Sequence, residues 1–497
     1  MKLPDWLTRK RTLRGKQRGV ALIMVLAALT VLTVMLTEVQ DESAAEFGAA
    51  MSARDAMVAE YAAVSGVNLA RLLIASEPTV RRSLSLIFAL LGGPRQIPVW
   101  QFADRILGAF NDKDAAAGFS LLAGVDPKKG KNLGLEGAGW ELTIVDEDSK
   151  INLNLAARAS LISELHEANE IISLIGPPQF SPMFEGRDAD GQFSDRQAIC
   201  AAILDWADPD QDQAVCDPTS STAQQTGSED SFYQLLKKPY QRKNAAFDSL
   251  EELHMVRGIS DDFWSTFIDP DPDKPDKRNV TVWGQGQINV NTAPPMVLLT
   301  LVCEASKNTA LVCTDPNEAQ KFLMALTMLR GFLPGLPMFG SPKDFTAALQ
   351  QTAAPAPGAA APAMGGSPVQ MVMQALGLQP IPLVSPAQTE ASIGVESKVF
   401  SIYARGYVHS GKRETNVHIH AVVDFRGAPS PQQVMQQQLT NLMNQANGTG
   451  GASSTPPPAG SANQINGVTL PPGMTPDGIM SALKPGSGGN VVYYRVD

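Results

Sequence analysis

"KQRGVALIMVLAALTVL", residues 16–32, sets a basic cluster against an apolar run that begins directly after Gly19. The run Val20–Thr37 is 18 residues long and carries no charge until Glu38. At about 1.5 Å per helical residue it covers roughly 27 Å, close to the hydrocarbon thickness of a bilayer. A peptidase cut after the run would free a secreted protein. A cut before it, at Gly19, would leave a chain that begins with its own membrane helix. The basic stretch on the amino-terminal side predicts a cytoplasmic start and a body on the far side of the membrane.

The helical pattern continues beyond the run. Residues 38–76 are rich in Ala, Glu, Met and Arg, with no proline before Pro78. Phe47, Met51, Val58 and Tyr61 recur at helical spacing and predict one side of a stem helix continuous with the span. An ordinary signal peptide would end in a turn and a small-residue cleavage site instead. "ESAAE" could serve as one, but it sits inside the helical pattern.

The 497 residues suffice for two or three domains. Residues 1–19 carry a net charge of +6, so the −10 of the whole chain leaves −16 for the rest. So acidic a body repels phosphate backbones, which argues against nucleic acid as a partner and for cations. The four cysteines form two local pairs, Cys200/Cys216 and Cys303/Cys313. Disulfides suit an oxidising compartment, although spacing alone leaves the connectivity open.

Farther along, "WELTIVDEDSKINLN" (140–154) reads as a strand ending in a turn. Residues 81–92 and 99–110 read as helices, and 155–285 as helical with acidic loops. "INVNTAP" (288–294) echoes "INLNLA" (151–156). Each Ile-Asn-x-Asn leads into an apolar helix, with Asn or Thr suited to cap its first turn and Pro294–Pro295 to enter it. The echoes look like the edges of an inserted helical domain. Two short helices follow in 315–351, then a Pro/Ala linker at 352–368. Residues 398–425 alternate around "HSGKRE" and predict a hairpin. A Gln, Gly, Ser and Pro-rich stretch to 489 has the composition of disorder, and "VVYYRVD" (491–497) closes the chain as a strand.

The strongest polar cluster is "DWADPDQDQ" with "GSED" downstream. Asp208, Asp210 and Asp212 alternate on a Pro-containing loop, as oxygen ligands for Ca2+ often do. The EF-hand pattern fails: Gln213 stands where glycine is needed and Thr219 where the bidentate glutamate should be. Further carboxylates must come from elsewhere, with Glu229 and Asp230 nearest. A solvated acidic loop is the plain alternative. "DPDPDKPDK" (269–277) and "DADGQFSD" (188–195) are weaker.

"SLEELHMVRGIS" (249–260) invites a helix-hairpin-helix reading, but Ser260 takes the place of the second glycine, and a structural turn fits better. His418 and His420 face one side of a strand without an evident third ligand. No nucleophile elbow or phosphate-binding glycine loop occurs, so an enzyme is not expected.

Taken in order, "RGVALIMVLAAL", "DEDSKINLN", "AILDWADPD", "FDSLEELHMVRGI" and "INVNTAP" resemble the K-type minor pseudopilin (GspK) of type II secretion systems. The Pro-rich and polar tails add bulk that the family usually lacks. The resemblance implies an α+β fold: a pilin-like long N-terminal helix packed on an antiparallel sheet, with an inserted all-α domain. It implies a prepilin leader at 1–19, a transmembrane and stem helix at 20–76, and head segments at 77–154 and 287–425. The helical insertion falls at 155–286 and the tail at 426–497.

On this resemblance a prepilin peptidase cuts after Gly19, leaving Val20 as the N-terminus, usually methylated. Met24 then holds mature position 5, where most pilin-like subunits carry glutamate. A subunit at the tip has no neighbour above it to neutralise, so a neutral residue there fits the tip. The implied partners are the I-type and J-type minor pseudopilins, the major pseudopilin and the secretion machinery. The implied location is the inner membrane, single-pass, with a cytoplasmic N-terminus and a periplasmic body. The family's calcium binding carries over to Asp208, Asp210 and Glu229 or Asp230, with Asp212 added by spacing alone. Two rivals are a minor pilin or adhesin at a type IV or competence pilus tip, and an anchored periplasmic enzyme.

Overall fold

The computed structural model describes residues 18–83, 95–103, 107, 137–187, 191, 193–217, 224–225, 230–332, 335–350, 368–429, 464–465, 468–469 and 488–497. Most of the leader, most of 84–136 (with most of the two helices expected at 81–92 and 99–110), the linker and most of the tail lie outside them. Of the second expected helix, Val99–Phe102 is a short 3₁₀ turn.

Helix α1 (Arg18–Ser83) runs for 66 residues, through Pro78 and past the expected end at residue 76. It is long and apolar enough to cross a membrane, and residues 20–50 are exposed throughout. Beyond them one face docks on a sheet, but not the face expected. Phe47 and Tyr61 are 69% and 63% exposed, while Ala59, Ala62, Ala63, Val67, Ala70 and Ile74 are buried. The close approach of the helix to the sheet explains the difference. An added Cβ at Gly406 would lie 2.0 Å from the Ala59 carbonyl oxygen and 2.6 Å from the Ala63 nitrogen. Only small side chains fit a seam this narrow, so size rather than hydrophobicity selects the docking face.

The sheet has four antiparallel strands in chain order: β1 (Ala138–Asp146), β2 (Val399–Ser410), β3 (Arg413–Asp424) and β4 (Asn490–Val496). Strands β2 and β3 form the expected hairpin, turning at Gly411, whose φ of 67° suits glycine. The last strand returns to pair with β3, and Arg71 of α1 donates to the carbonyls of Gly488 and Gly489 just before it. Val67 and Ile74 meet Trp140, Leu142, Ile144, Phe400, Ile402, Ile419 and Val423 in the head core.

Between β1 and β2 the chain builds a helical body with its own core. Helices α2 (Leu161–Ile175), α3 (Arg196–Ala207), α4 (Pro295–Ala305) and α5 (Pro316–Phe332) share one apolar cluster reaching from Ile151 to Ile393. The boundary expected near residue 286 is therefore absent. Residues 287–395 belong to the helical body, and the second head segment begins near Val399.

The Ile-Asn-x-Asn echoes mark two related units instead. Ile151–Asn152 pairs in parallel with Val280–Thr281, and Ile288–Asn289 with Ile393–Gly394. The second asparagine of each motif grips a distant phenylalanine backbone. Asn154 Nδ2 donates to the Phe247 carbonyl at 3.0 Å and its Oδ1 accepts from the Phe247 amide at 2.7 Å. Asn291 does the same to Phe339, at 3.0 and 2.8 Å. These asparagines clamp rather than cap. An amide offers a donor and an acceptor side by side, which matches one peptide unit's needs.

Head and body are joined at "DEDSK". Asp146 accepts from the hydroxyls of Thr292 and Ser397, and Asp148 from the amides of Lys398 (2.7 Å) and Val399 (3.0 Å). Lys150, fully buried, donates to the Asp146 carbonyl at 2.8 Å and faces Glu147 at 3.6 Å. Glu147 also accepts from Thr281 at 2.6 Å. Burial, reinforced by Asp148, pushes the Asp146 carboxyl up to about 7.

Candidate metal-binding loop

Helix α3 begins where Asp195 caps it, its carboxylate accepting from the Ala198 amide at 2.8 Å. It ends at Ala207, and the acidic loop follows. A disulfide joins Cys200 within α3 to Cys216 beyond the loop, with a Cα–Cα distance of 6.0 Å, and so staples the loop to the helix. Cys303 and Cys313 are likewise joined, at 5.6 Å, around the turn after α4.

Asp208 is 2% exposed, and neither carboxylate oxygen has a hydrogen-bond partner. Its nearest cation is Arg242, 3.6 Å away. Burial, with help from Asp210, pushes Asp208 up to about 7 against the pull of Arg242. Asp205, one turn back, is pushed up to about 8 by burial although it accepts from the Ala214 amide at 2.7 Å. Asp210 accepts from the Asp212 amide at 2.9 Å, and Asp212 is exposed.

Arg242 gathers the site. Its guanidinium donates to the carbonyls of Asp205 and Asp210 and to the Asp230 carboxylate at 3.2 Å. The structure thus brings Asp208, Asp210 and Asp230 around one arginine, and Glu229 lies outside the described residues. Among the described residues, these carboxylates do not supply three ligand atoms within 4.8 Å of one another. A buried carboxylate with no hydrogen bond is nevertheless what a bound cation would satisfy, so the donor set suits a hard divalent ion. Sequence reasoning missed Arg242, whose only signal is "QRKN" amid acidic surroundings.

Elsewhere, His420 stacks on Tyr403 at 4.2 Å while His418 is exposed. Leu250–Met255 is a 3₁₀ turn with Leu253 buried and His254 stacked on Trp264, consistent with a structural role.

A membrane-length helix that becomes the spine of an antiparallel sheet, with a large helical body spliced between two sheet strands, defines an enlarged pilin-like subunit. Residues 149–267 match the sequence model of the family described as "Type II secretion system (T2SS), protein K". The chain belongs to this family, the K-type minor pseudopilins. Among solved structures, a chain of the GspK-GspI-GspJ complex from the enterotoxigenic Escherichia coli Type 2 Secretion System aligns at 15% identity and a TM-score of 0.32. That alignment covers 66% of this chain and 90% of that one. The likeness is too loose to add weight to the family match. No curated protein is significantly similar to the chain.

Proposed function

We propose that the protein caps the tip of a type II pseudopilus together with the I-type and J-type minor pseudopilins. In this reading the assembly helps drive folded proteins through the outer membrane. The observation that carries it is the helical body between β1 and β2, joined to the head at Asp146–Lys150. Bulk of that size, held rigidly, would hinder the stacking of another subunit above. The stem supports a partner-bound state: Phe47, Met57, Tyr61 and Leu72 remain 60–69% exposed on the helix. Prepilin peptidase cleaves after Gly19, the major pseudopilin follows below, and Met24 takes the position where a tip subunit needs no carboxylate. The span sits in the inner membrane with its basic end in the cytoplasm and the body in the periplasm. The role is structural rather than enzymatic.

Intact mass and N-terminal sequence of the chain from native membranes test this directly. A start at methylated Val20, with I-type and J-type subunits co-purifying, is the expected result. A start at Met1 or beyond residue 40 would sink it. Co-purification with type IV or competence pilins would favour that rival.

Calcium binding at Asp208, Asp210 and Asp230, with Glu229 and Asp212 as further ligands, belongs to the same proposal. Calorimetry should show Ca2+ uptake by the chain, weakened by about tenfold or more in Asp208→Asn, since removing a charged ligand lowers affinity in such sites. No heat on addition of Ca2+ would retire the assignment.

A further inference from the structure

His166 and Glu170 stand one turn apart on α2, so both face the same way, and Glu304 in the last turn of α4 faces them from the second unit. His166 Nδ1 lies 3.0 Å from Glu304 Oε1, and its Nε2 lies 3.5 Å from Glu170 Oε1. The three residues offer ligand atoms all within 4.8 Å of one another, the one such trio among the described residues. Glu170 is 0% exposed, and neither of its oxygens accepts a hydrogen bond. A carboxylate stripped of water and left without donors is costly unless a cation sits on it. The charge of Glu170 raises the pKa of His166, while burial raises that of Glu170 itself.

His166 and Glu304 also border a cavity of about 650 Å³ at the seam of the two units, which Asn169, Asn308 and Gln388 help to line. Water can therefore complete a coordination sphere that the protein leaves open.

We infer that His166, Glu170 and Glu304 bind a first-row divalent cation, best Zn2+, which ties α2 of the first helical unit to α4 of the second. The donor chemistry selects the ion. One imidazole nitrogen and two carboxylates, with an open position, suit zinc and its neighbours. Calcium prefers six to eight oxygens and gains little from imidazole. A histidine and an acid four apart on one helix face can reach a single ion, the spacing used by helical zinc sites. Binding requires neutral imidazole, so the metal replaces the proton on His166 and releases it to solvent. The Cys303–Cys313 disulfide fixes the chain on either side of the turn that follows Glu304, which limits how far this ligand can stray. The inference is independent of the calcium loop and of the tip role.

The test uses the full chain in detergent, stripped with a chelator and titrated with Zn2+ against a chromogenic competitor. Co2+ serves as the spectroscopic stand-in. One Zn2+ per chain with submicromolar affinity is expected, with a visible Co2+ band typical of low coordination number. His166→Gln and Glu170→Gln should each weaken binding about 100-fold, in line with the loss of a ligand or its support. Asp208→Asn should leave it unchanged, and millimolar Ca2+ should not displace the metal. Wild-type protein that binds no Zn2+ tighter than about 10 μM, where a loose surface site would sit, overturns the inference without recourse to any variant. Tight binding that survives His166→Gln overturns the ligand assignment.

Discussion

Gly406→Ala is expected to loosen the stem helix from the sheet and destabilise the head by about 3 kcal/mol, the upper end of overpacking costs. A methyl group there would sit 2.0 Å from the Ala59 carbonyl oxygen and 2.6 Å from the Ala63 nitrogen. These are backbone atoms of a continuous helix and cannot swing aside as a side-chain end can. The helix must shift outward as a whole, which parts Val67 and Ile74 from Leu142 and Phe400. Urea denaturation of the full chain, followed by tryptophan fluorescence, reads the effect. Gly48→Ala is the control, because it lies on the same helix with nothing within 4 Å. It should be neutral or stabilising by up to about 1 kcal/mol, as alanine is the better helix former. Equal midpoints for Gly406→Ala and the wild type would refute the close contact.

Lys150→Met should cost more still, about 3–5 kcal/mol, the range for removing one partner of a buried ion pair. The ammonium is 1% exposed and lies between the Asp146 carbonyl and the Glu147 carboxylate. Burial works to raise Glu147, but Lys150, with hydrogen bonds from Ser401 and Thr281, holds it below its ordinary value. Methionine keeps the volume and removes the charge, so Glu147 is left ionised in a dry place or must take up a proton. Adding Glu147→Gln should restore part of the loss, and a double-mutant cycle would measure the coupling. Simple additivity would mean that the two groups do not act as a pair.

How much of this was legible in the sequence depends on the range over which each signal acts. The stem helix was plain, because a proline-free, alanine-rich run declares itself locally. Its docking face was not, because a rule that looks for large apolar residues passes over Ala59, Ala63 and Gly66 and selects Phe47 and Tyr61 instead. The paired Ile-Asn-x-Asn motifs were visible as an echo. Their meaning was misread because the partners of Asn154 and Asn291 lie 93 and 48 residues away. The boundary set near 286 failed for a related reason: the second unit shares its core with the first, and a core leaves no mark at a linker. In the acidic loop the aspartates stood out, whereas Arg242, 32 residues past the Asp210 carbonyl it binds, did not. His166 and Glu170 could be paired by helical spacing, but Glu304, 138 residues from His166, could not.

The unbroken course of α1 also sets a height. If Val20–Thr37 fills the bilayer, about 18 residues separate the membrane from Asp55, the first fully buried residue of the helix, and at 1.5 Å each they hold the head roughly 27 Å clear of the lipid. That clearance is close to the width of a domain of about 100 residues, whose radius of gyration is roughly 13 Å. The protein therefore stands above the membrane like a table on one leg, with room beneath its head for the globular part of a neighbouring subunit.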